Sequence, residues 1–269
     1  MVKRSVDILF ALFLLIAALP ILLLAAILIK LDSEGPVLFR QTRVGQGFRR
    51  FQLVKLRSMA YGADGSAYTL GADPRVTRIG YWLRRLKVDE LPQLWHVLTG
   101  EMSLVGPRPV VPELCKQYRH AYRRLLTVRP GLTDPAAIKY CQESDVLALA
   151  ADPRRYFHSV VMPDKLRISQ FYMNTASVRS DLGVLAQTIF ALLHSWRTAD
   201  TPARPDKARH DSRLTRRQPP RRRAIAQAAA GLGDWGMPAP WARATHSAAQ
   251  GLQCGGAGAR LHDKGFFFG

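Results

Sequence analysis

From Ile8 to Ile29 the chain runs 22 residues without one charged or strongly polar side chain. Wound as an α-helix, such a run reaches the roughly 30 Å needed to cross a hydrocarbon core. A stretch apolar on every face is seldom the core helix of a chain of 269 residues. A cleaved leader is the competing reading, with Lys3 and Arg4 as its basic start. The run is longer than the usual span of about 7–15 residues, and Lys30-Leu31-Asp32 follows it in place of a small-x-small site. A permanent membrane segment over residues 1–32 is therefore predicted.

Pro20 divides that run into Ile8–Leu19 and Ile21–Ile29, each too short to span alone. An interior proline removes a helical hydrogen bond and disfavours the α conformation of the residue before it, so a kink is expected. Cations flank both ends, Lys3 and Arg4 before and Lys30, Arg40, Arg43, Arg49 and Arg50 after. The positive-inside tendency thus gives no reason to place the ends on opposite sides. A re-entrant helix–break–helix satisfies both observations. Composition alone leaves it level with a kinked single span.

The charge points the same way. Thirty-nine Lys and Arg face 20 Asp and Glu, a formal net charge of +19 and a pI near 10.6. An anionic partner is implied: a membrane surface, a phosphorylated substrate or nucleic acid. Residues 198–269 are rich in Ala, Gly, Pro and Arg, include Arg221-Arg222-Arg223, and read as a disordered basic tail. The body before it remains strongly basic. A hydrophobic fraction of 48% excludes wholesale disorder, and three cysteines are too few and scattered for a disulfide framework.

Between membrane segment and tail, residues 33–197 read as a globular body, mostly α with a few short strands. Val37-Leu38-Phe39 is a short strand and Gly45-Gln46-Gly47 a hairpin-like turn. Residues 60–74 read as a loop. Val76–Leu86 is an amphipathic, basic helix suited equally to a membrane surface or to packing its apolar face on the core. Further helices are expected over Asp89–Leu98 and Glu113–Thr127, with two more within Asp164–Ile189, broken near Ser180.

The densest chemical signal is Asp89-Glu90-Leu91-Pro92-Gln93. Read structurally, Asp89 is an N-cap and Pro92 sits harmlessly in a first turn. Read functionally, adjacent carboxylates diverge by about 100° on a helix and suit two tasks, one as nucleophile and one holding a divalent cation against phosphate oxygens. Arg108, bracketed by Pro107 and Pro109, is presented rigidly, as bidentate phosphate recognition requires. Lys55, Arg57, Arg75, Arg78 and Arg84 precede the carboxylates and are able to converge on them. His96, His120 and His158 lack ligand spacing, and no GxGxxG, Walker loop, CxxC pair or HExxH occurs.

These residues stand in an order that resembles a known family. Lys3-Arg4-x-x-Asp7, the Pro20-broken run, Gly35-Pro36-Val37-Leu38-Phe39-x-Gln41-x-Arg43-x-Gly45 and Lys55-Leu56-Arg57-Ser58-Met59 come first. Asp73-Pro74-Arg75-Val76-Thr77, Asp89-Glu90-Leu91-Pro92-Gln93-Leu94, Val105-Gly106-Pro107-Arg108-Pro109 and Arg129-Pro130-Gly131-Leu132-Thr133 follow. Together they resemble the bacterial sugar transferases, the monotopic polyprenyl-phosphate phosphoglycosyl transferases. The resemblance implies transfer of a sugar-1-phosphate from a UDP-sugar to undecaprenyl phosphate, with UMP released and Mg2+ as cofactor. It places the protein among the lipids of the bacterial inner membrane, its catalytic domain on the cytoplasmic face, as a first step of exopolysaccharide, O-antigen or glycoconjugate synthesis. It implies that Asp89 is the nucleophile, Glu90 the metal-associated carboxylate, and Lys55, Arg84 and Arg108 the phosphate contacts; Arg57, another of the cations that precede the carboxylates, is taken with them as a candidate phosphate contact. The family breaks its re-entrant helix at Ser-Pro, where this chain has Leu19-Pro20. After Pro-Gly-x-Thr the family continues Gly-x-Ala-Gln, where this chain has Asp134-Pro135-Ala136-Ala137. The alternative is a membrane-anchored basic protein without catalysis, a scaffold or a nucleic-acid binder; no nucleic acid is expected on the leading reading.

Overall fold

The apolar run becomes α1, Val2–Asp32, a single helical element of 31 residues with Pro20 inside it. The proline therefore does not divide the run into two separate helices. Leu, Ala and Ile on both sides favour the helix enough to absorb one lost backbone bond. One narrow stripe of α1 is buried: Asp7, Ala11, Ala18, Ala25 and Ile29. Three alanines at seven-residue spacing hold one face toward the rest of the chain and let it approach closely. Elsewhere α1 exposes Leu9, Phe13, Ile16, Leu23, Leu24, Ile27 and Leu31, an apolar surface far larger than a water-facing helix carries. This computed structural model describes residues 2–63, 73–148 and 150–197; the stretch 198–269 expected as a tail lies outside the described residues.

Both ends of α1 are fastened to the same body. Near its start, the Asp7 carboxylate accepts from Ser103 Oγ at 2.7 Å and the Leu104 N–H at 3.3 Å. Arg4 donates to the carbonyls of Val97 and Leu98 at 2.7 and 3.1 Å, and Lys3 reaches the Val105 carbonyl and Asp181. At its end, Asp32 accepts from the Ile79 N–H at 3.1 Å, while Ala25 and Ile29 pack with Leu56 and Leu83.

Strands β1, Leu38–Val44, and β2, Arg50–Leu56, form an antiparallel hairpin running from Leu38↔Leu56 to Val44↔Arg50. Alternation puts Phe39, Gln41 and Arg43 on one face with Phe51, Leu53 and Lys55 opposite them. His96 packs edge-on against Phe51 on that face, and its Nε2 accepts from the Val54 N–H at 3.0 Å.

Helix α2, Arg78–Arg85, is capped by Thr77, whose hydroxyl accepts from the Gly80 N–H at 3.0 Å. Asp89–Leu98 is not the single helix expected. Lys87 takes a left-handed conformation (φ 55°), a 3₁₀ turn follows over Val88–Gln93, and α3 covers only Leu94–Thr99. Pro92 lacks an N–H and cannot support a full α-turn here, and the tighter turn replaces it.

Strand β3, Ser103–Val105, pairs parallel with β4, Gly131–Thr133. The chains cross at Gly106 and Gly131, where a Cβ on Gly131 would lie 2.1 Å from the Gly106 nitrogen. Only paired glycines allow that approach, which is why Val-Gly-Pro-Arg-Pro and Arg-Pro-Gly-Leu-Thr belong together.

The predicted helix Glu113–Thr127 is split at Tyr118 (φ −110°, ψ 31°) into α4, Pro112–Gln117, and α5, Arg119–Leu125. Short helices α6, Pro135–Lys139, α7, Glu143–Ala148, and α8, Pro153–Tyr156, lead through a π turn into α9, Met162–Thr175, and then α10, Val178–Arg197. The break expected near Ser180 falls at 176–177, where Ser177 serves as a cap: its hydroxyl accepts from the Ser180 N–H at 3.2 Å. Val110, Val111, Leu125, Leu126, Phe157 and Val161 form the main core beneath these helices.

Candidate active site

Four elements converge on the carboxylate pair. The 3₁₀ turn carries Asp89 and Glu90, β2 carries Lys55, α2 carries Arg84, and the loop after β3 carries Arg108. Asp89 is buried (4% exposed) and caps nothing: its Oδ1 has no hydrogen-bond partner among the described residues. Burial, and then the neighbouring Glu90 charge, push its carboxyl above the usual range; Lys55, Lys87 and Arg84 pull the other way. For Glu90, burial also pushes upward, but the Arg108 charge and hydrogen bond, with Lys87, win and hold it ionised below the usual range. Arg108 Nη2 donates to Glu90 Oε1 at 2.8 Å, and Nη1 to the Leu132 carbonyl at 3.0 Å.

Lys55 is desolvated, and despite the Asp89 charge its ammonium is pulled down to about 8. Burial likewise lowers Arg84, with Asp89 the largest opposing influence. The site thus has two ends, Lys55 and Arg84 around Asp89, and Arg108 around Glu90.

Arg57 does not join them. Its side chain turns to the bend after α1, donating from Nε to the Pro36 carbonyl at 2.6 Å, from Nη1 to Ser33 Oγ and the Glu34 carbonyl at 2.8 and 2.6 Å, and from Nη2 to the Ser33 carbonyl at 2.8 Å. Arg57 lies one residue past the end of β2 at Leu56, so the strand alternation that would put it on the Lys55 face no longer governs it. Arg57→Lys is expected to cost about 2–4 kcal/mol of stability, because one ammonium cannot satisfy four acceptors held by a planar fork. An unchanged urea midpoint would contradict this anchoring role. Arg75 is engaged by Asp73 at 2.7 Å, and Arg78 is exposed. His96 is structural: its Nδ1 meets Glu101 at 2.6 Å.

Sequence reasoning gave Arg43 no role, yet it flanks Arg108 and Glu90. The signal was the alternation along β1, which places it on the Lys55 face once the strand is extended to Val44. Asp134 also approaches Arg108; it is buried, caps α6 through the Ala137 N–H at 2.7 Å, and accepts from Ser169 Oγ at 2.6 Å.

The donor set bears on a metal. Among the described residues no three of His, Cys, Asp or Glu gather into a protein-only cage. Two adjacent carboxylates, one with a buried unpartnered oxygen, do suit a hard cation that takes its remaining ligands from phosphate oxygens and water.

Fold and site together define a chain bound along a long apolar helix, with a cation-walled carboxylate pair suited to phosphorylated ligands. Comparison with known sequences sharpens this. Residues 1–195 match the family described as bacterial sugar transferase, and the chain belongs to that family. An undecaprenyl-phosphate glucose phosphotransferase of Komagataeibacter xylinus is 48% identical over 145 residues, covering 51% of this chain and 27% of that protein. A UDP-N-acetylgalactosamine-undecaprenyl-phosphate N-acetylgalactosaminephosphotransferase of Aeromonas hydrophila is 36% identical over 199 residues, 71% of this chain and 44% of that one. A UDP-glucose:undecaprenyl-phosphate glucose-1-phosphate transferase of Caulobacter vibrioides is 38% identical over 204 residues, 71% of this chain and 69% of that one. The chain thus spans less than half of the first two relatives' length.

Proposed function

We propose that the chain transfers a sugar-1-phosphate from a UDP-sugar to undecaprenyl phosphate, releasing UMP, as a first membrane step of exopolysaccharide or related glycoconjugate synthesis. The observation that carries this is Asp89: a buried carboxylate with an unpartnered oxygen, facing Lys55 and Arg84, with Glu90 held apart from it by Arg108. The relatives named above act on substrates of this chemistry.

In the first step an Asp89 oxygen attacks the phosphorus that bears the sugar. The bond from that phosphorus to the UMP oxygen breaks, and UMP leaves with the electron pair. In the second, a phosphate oxygen of the lipid attacks the same phosphorus and returns Asp89 as carboxylate. Splitting one transfer into two avoids holding both anionic substrates at once. Lys55 and Arg84 offset charge on the transferred phosphate, and Arg108 steadies Glu90 while presenting its remaining N–H groups to the diphosphate. Mg2+, held by Glu90 with Asp89 nearby, would supply charge neutralisation across the diphosphate. Low solvent access at Asp89 protects its acyl phosphate from water.

The reading extends to topology, with residues 1–32 embedded from the cytoplasmic face of the inner membrane and 33–197 as the catalytic domain. Support comes from the two attachments of α1 described above: a helix with Lys3, Arg4 and Asp7 across the bilayer would forfeit their bonds to α3 and β3. A re-entrant path, bent at Pro20, keeps both ends on one side while the apolar surface enters the lipid. With cysteine at exposed Ser5, intact cells should resist impermeant thiol reagents. Strong labelling there would mean a single span. The activity itself is tested by incubating the purified protein with undecaprenyl phosphate, Mg2+ and a panel of UDP-sugars: at least one should release UMP, and silence across the panel refutes the reaction.

A further inference from the structure

Arg43 has no part in the reaction as set out above. The Val44 N–H donates to the Val110 carbonyl at 2.8 Å, fastening the end of β1 to the loop that presents Arg108. That seam brings the Arg43 side chain beside Arg108 and Glu90. Of its five N–H donors, only Nη2 makes a short bond, 2.7 Å to Gln41 Oε1. Nη1 lies 3.4 Å from the Pro109 carbonyl, beyond the usual range. Nε is buried and has no hydrogen-bond partner among the described residues.

The contrast with Arg57 is informative. There every guanidinium nitrogen meets an acceptor of the chain, as expected of a side chain that only holds a fold together. Arg43 is desolvated and sits beside a second guanidinium, and both influences pull its pKa down to about 10. Of the two carboxylates that act on it, Glu90 is already engaged by Arg108, and Glu113 acts more weakly and makes no hydrogen bond with it among the described residues. A buried donor left over beside another cation calls for an oxyanion from outside the chain.

We infer that Arg43 is an anion-binding residue which, with Arg108, grips a phosphate group at the Glu90 end of the site. Lys55 and Arg84 serve the other end. Arg43 and Lys55 share a face of the hairpin with their cross-strand positions four residues apart, roughly 14 Å along the strands. Long side chains leaning inward from such positions reach two adjacent phosphates rather than one. The source of the phosphate at the Arg43 end rests on the proposed reaction, and is either the nucleotide-sugar diphosphate or the lipid phosphate.

The test uses the full chain in detergent micelles and inorganic pyrophosphate as the calorimetric probe. Arg43→Gln should weaken pyrophosphate binding at least about tenfold, the usual effect of losing a charge-assisted hydrogen bond. Arg43→Lys should recover only part, since an ammonium lacks the planar fork. Equal affinity in wild type and Arg43→Gln, including no binding by either, overturns the inference. So does a loss accompanied by a melting temperature lowered by more than about 5 °C in both variants, which would make Arg43 a support of the Pro109 loop. With substrates, a KM raised for the UDP-sugar alone places the nucleotide phosphate at Arg43, and one raised for undecaprenyl phosphate alone places the lipid phosphate there. Neither KM moving again overturns it. Should the wild type turn over no UDP-sugar, the reaction fails, while the pyrophosphate titration still decides the role of Arg43.

Discussion

Asp89→Asn should lower turnover by a factor on the order of 10³ or more, the scale on which removal of a nucleophile acts. The amide has nearly the shape of the carboxylate but cannot form an acyl phosphate. Folding should survive. Asp89 caps no helix and makes no hydrogen bond through its buried Oδ1, so little native bonding is lost. The sign of the stability change follows from its raised pKa. A carboxyl whose folded pKa lies above its unfolded value favours the folded state fully only below the unfolded value, and that contribution is lost as pH rises through the folded one. At pH 8 the wild type therefore carries a desolvated charge beside Glu90 that the variant lacks. Asp89→Asn should melt no lower than wild type at pH 8, and any advantage should shrink toward pH 4. Wild-type turnover in this variant would remove Asp89 from the chemistry. A collapse of its melting temperature would show that the charge is structural.

Arg108→Lys should cut kcat/KM by about 10–100-fold even though the charge is kept. The guanidinium spans Glu90 Oε1 and the Leu132 carbonyl with separate nitrogens, and so ties the 3₁₀ turn to β4. A lysine ammonium cannot hold both and still offer a fork to phosphate. Glu90 would lose the partner that keeps its pKa low, and its requirement for added Mg2+ should rise. Kinetics as in wild type would reduce Arg108 to a point charge.

Much of this is legible in the sequence. The 22-residue apolar run is long enough to cross a hydrocarbon core, and the paired carboxylates and proline-bracketed arginine stand out by their order in the chain. What the sequence concealed was direction. A motif such as Lys55-Leu56-Arg57 places two cations two residues apart, as on one strand face, yet β2 ends at Leu56, and past that end Arg57 turns to the bend after α1 while Lys55 faces Asp89. Arg43 was missed for the converse reason: a strand read as ending at Phe39 cannot reveal that a residue four places on shares its face. Asp89 reads as a helix cap because Asp ahead of a turn that carries Glu and Pro usually is one. The left-handed Lys87 and the imino nitrogen of Pro92 instead wind a 3₁₀ turn that leaves the carboxylate oxygen unsatisfied. That unsatisfied oxygen is what the proposed reaction turns on, and no pattern of residue types announces it.

The central claim is that the protein itself takes up the phosphosugar before the lipid arrives. Rapid mixing of enzyme, Mg2+ and a UDP-sugar that supports turnover, with undecaprenyl phosphate left out, tests it most directly. The account predicts a burst of UMP close to one equivalent per active site. Intact-mass analysis should then show the sugar phosphate added to the protein and lost when lipid phosphate is supplied, with the adduct on the peptide containing Asp89. Release of UMP only when undecaprenyl phosphate is present, with no mass added to the protein, would contradict it and require both substrates to be bound at once.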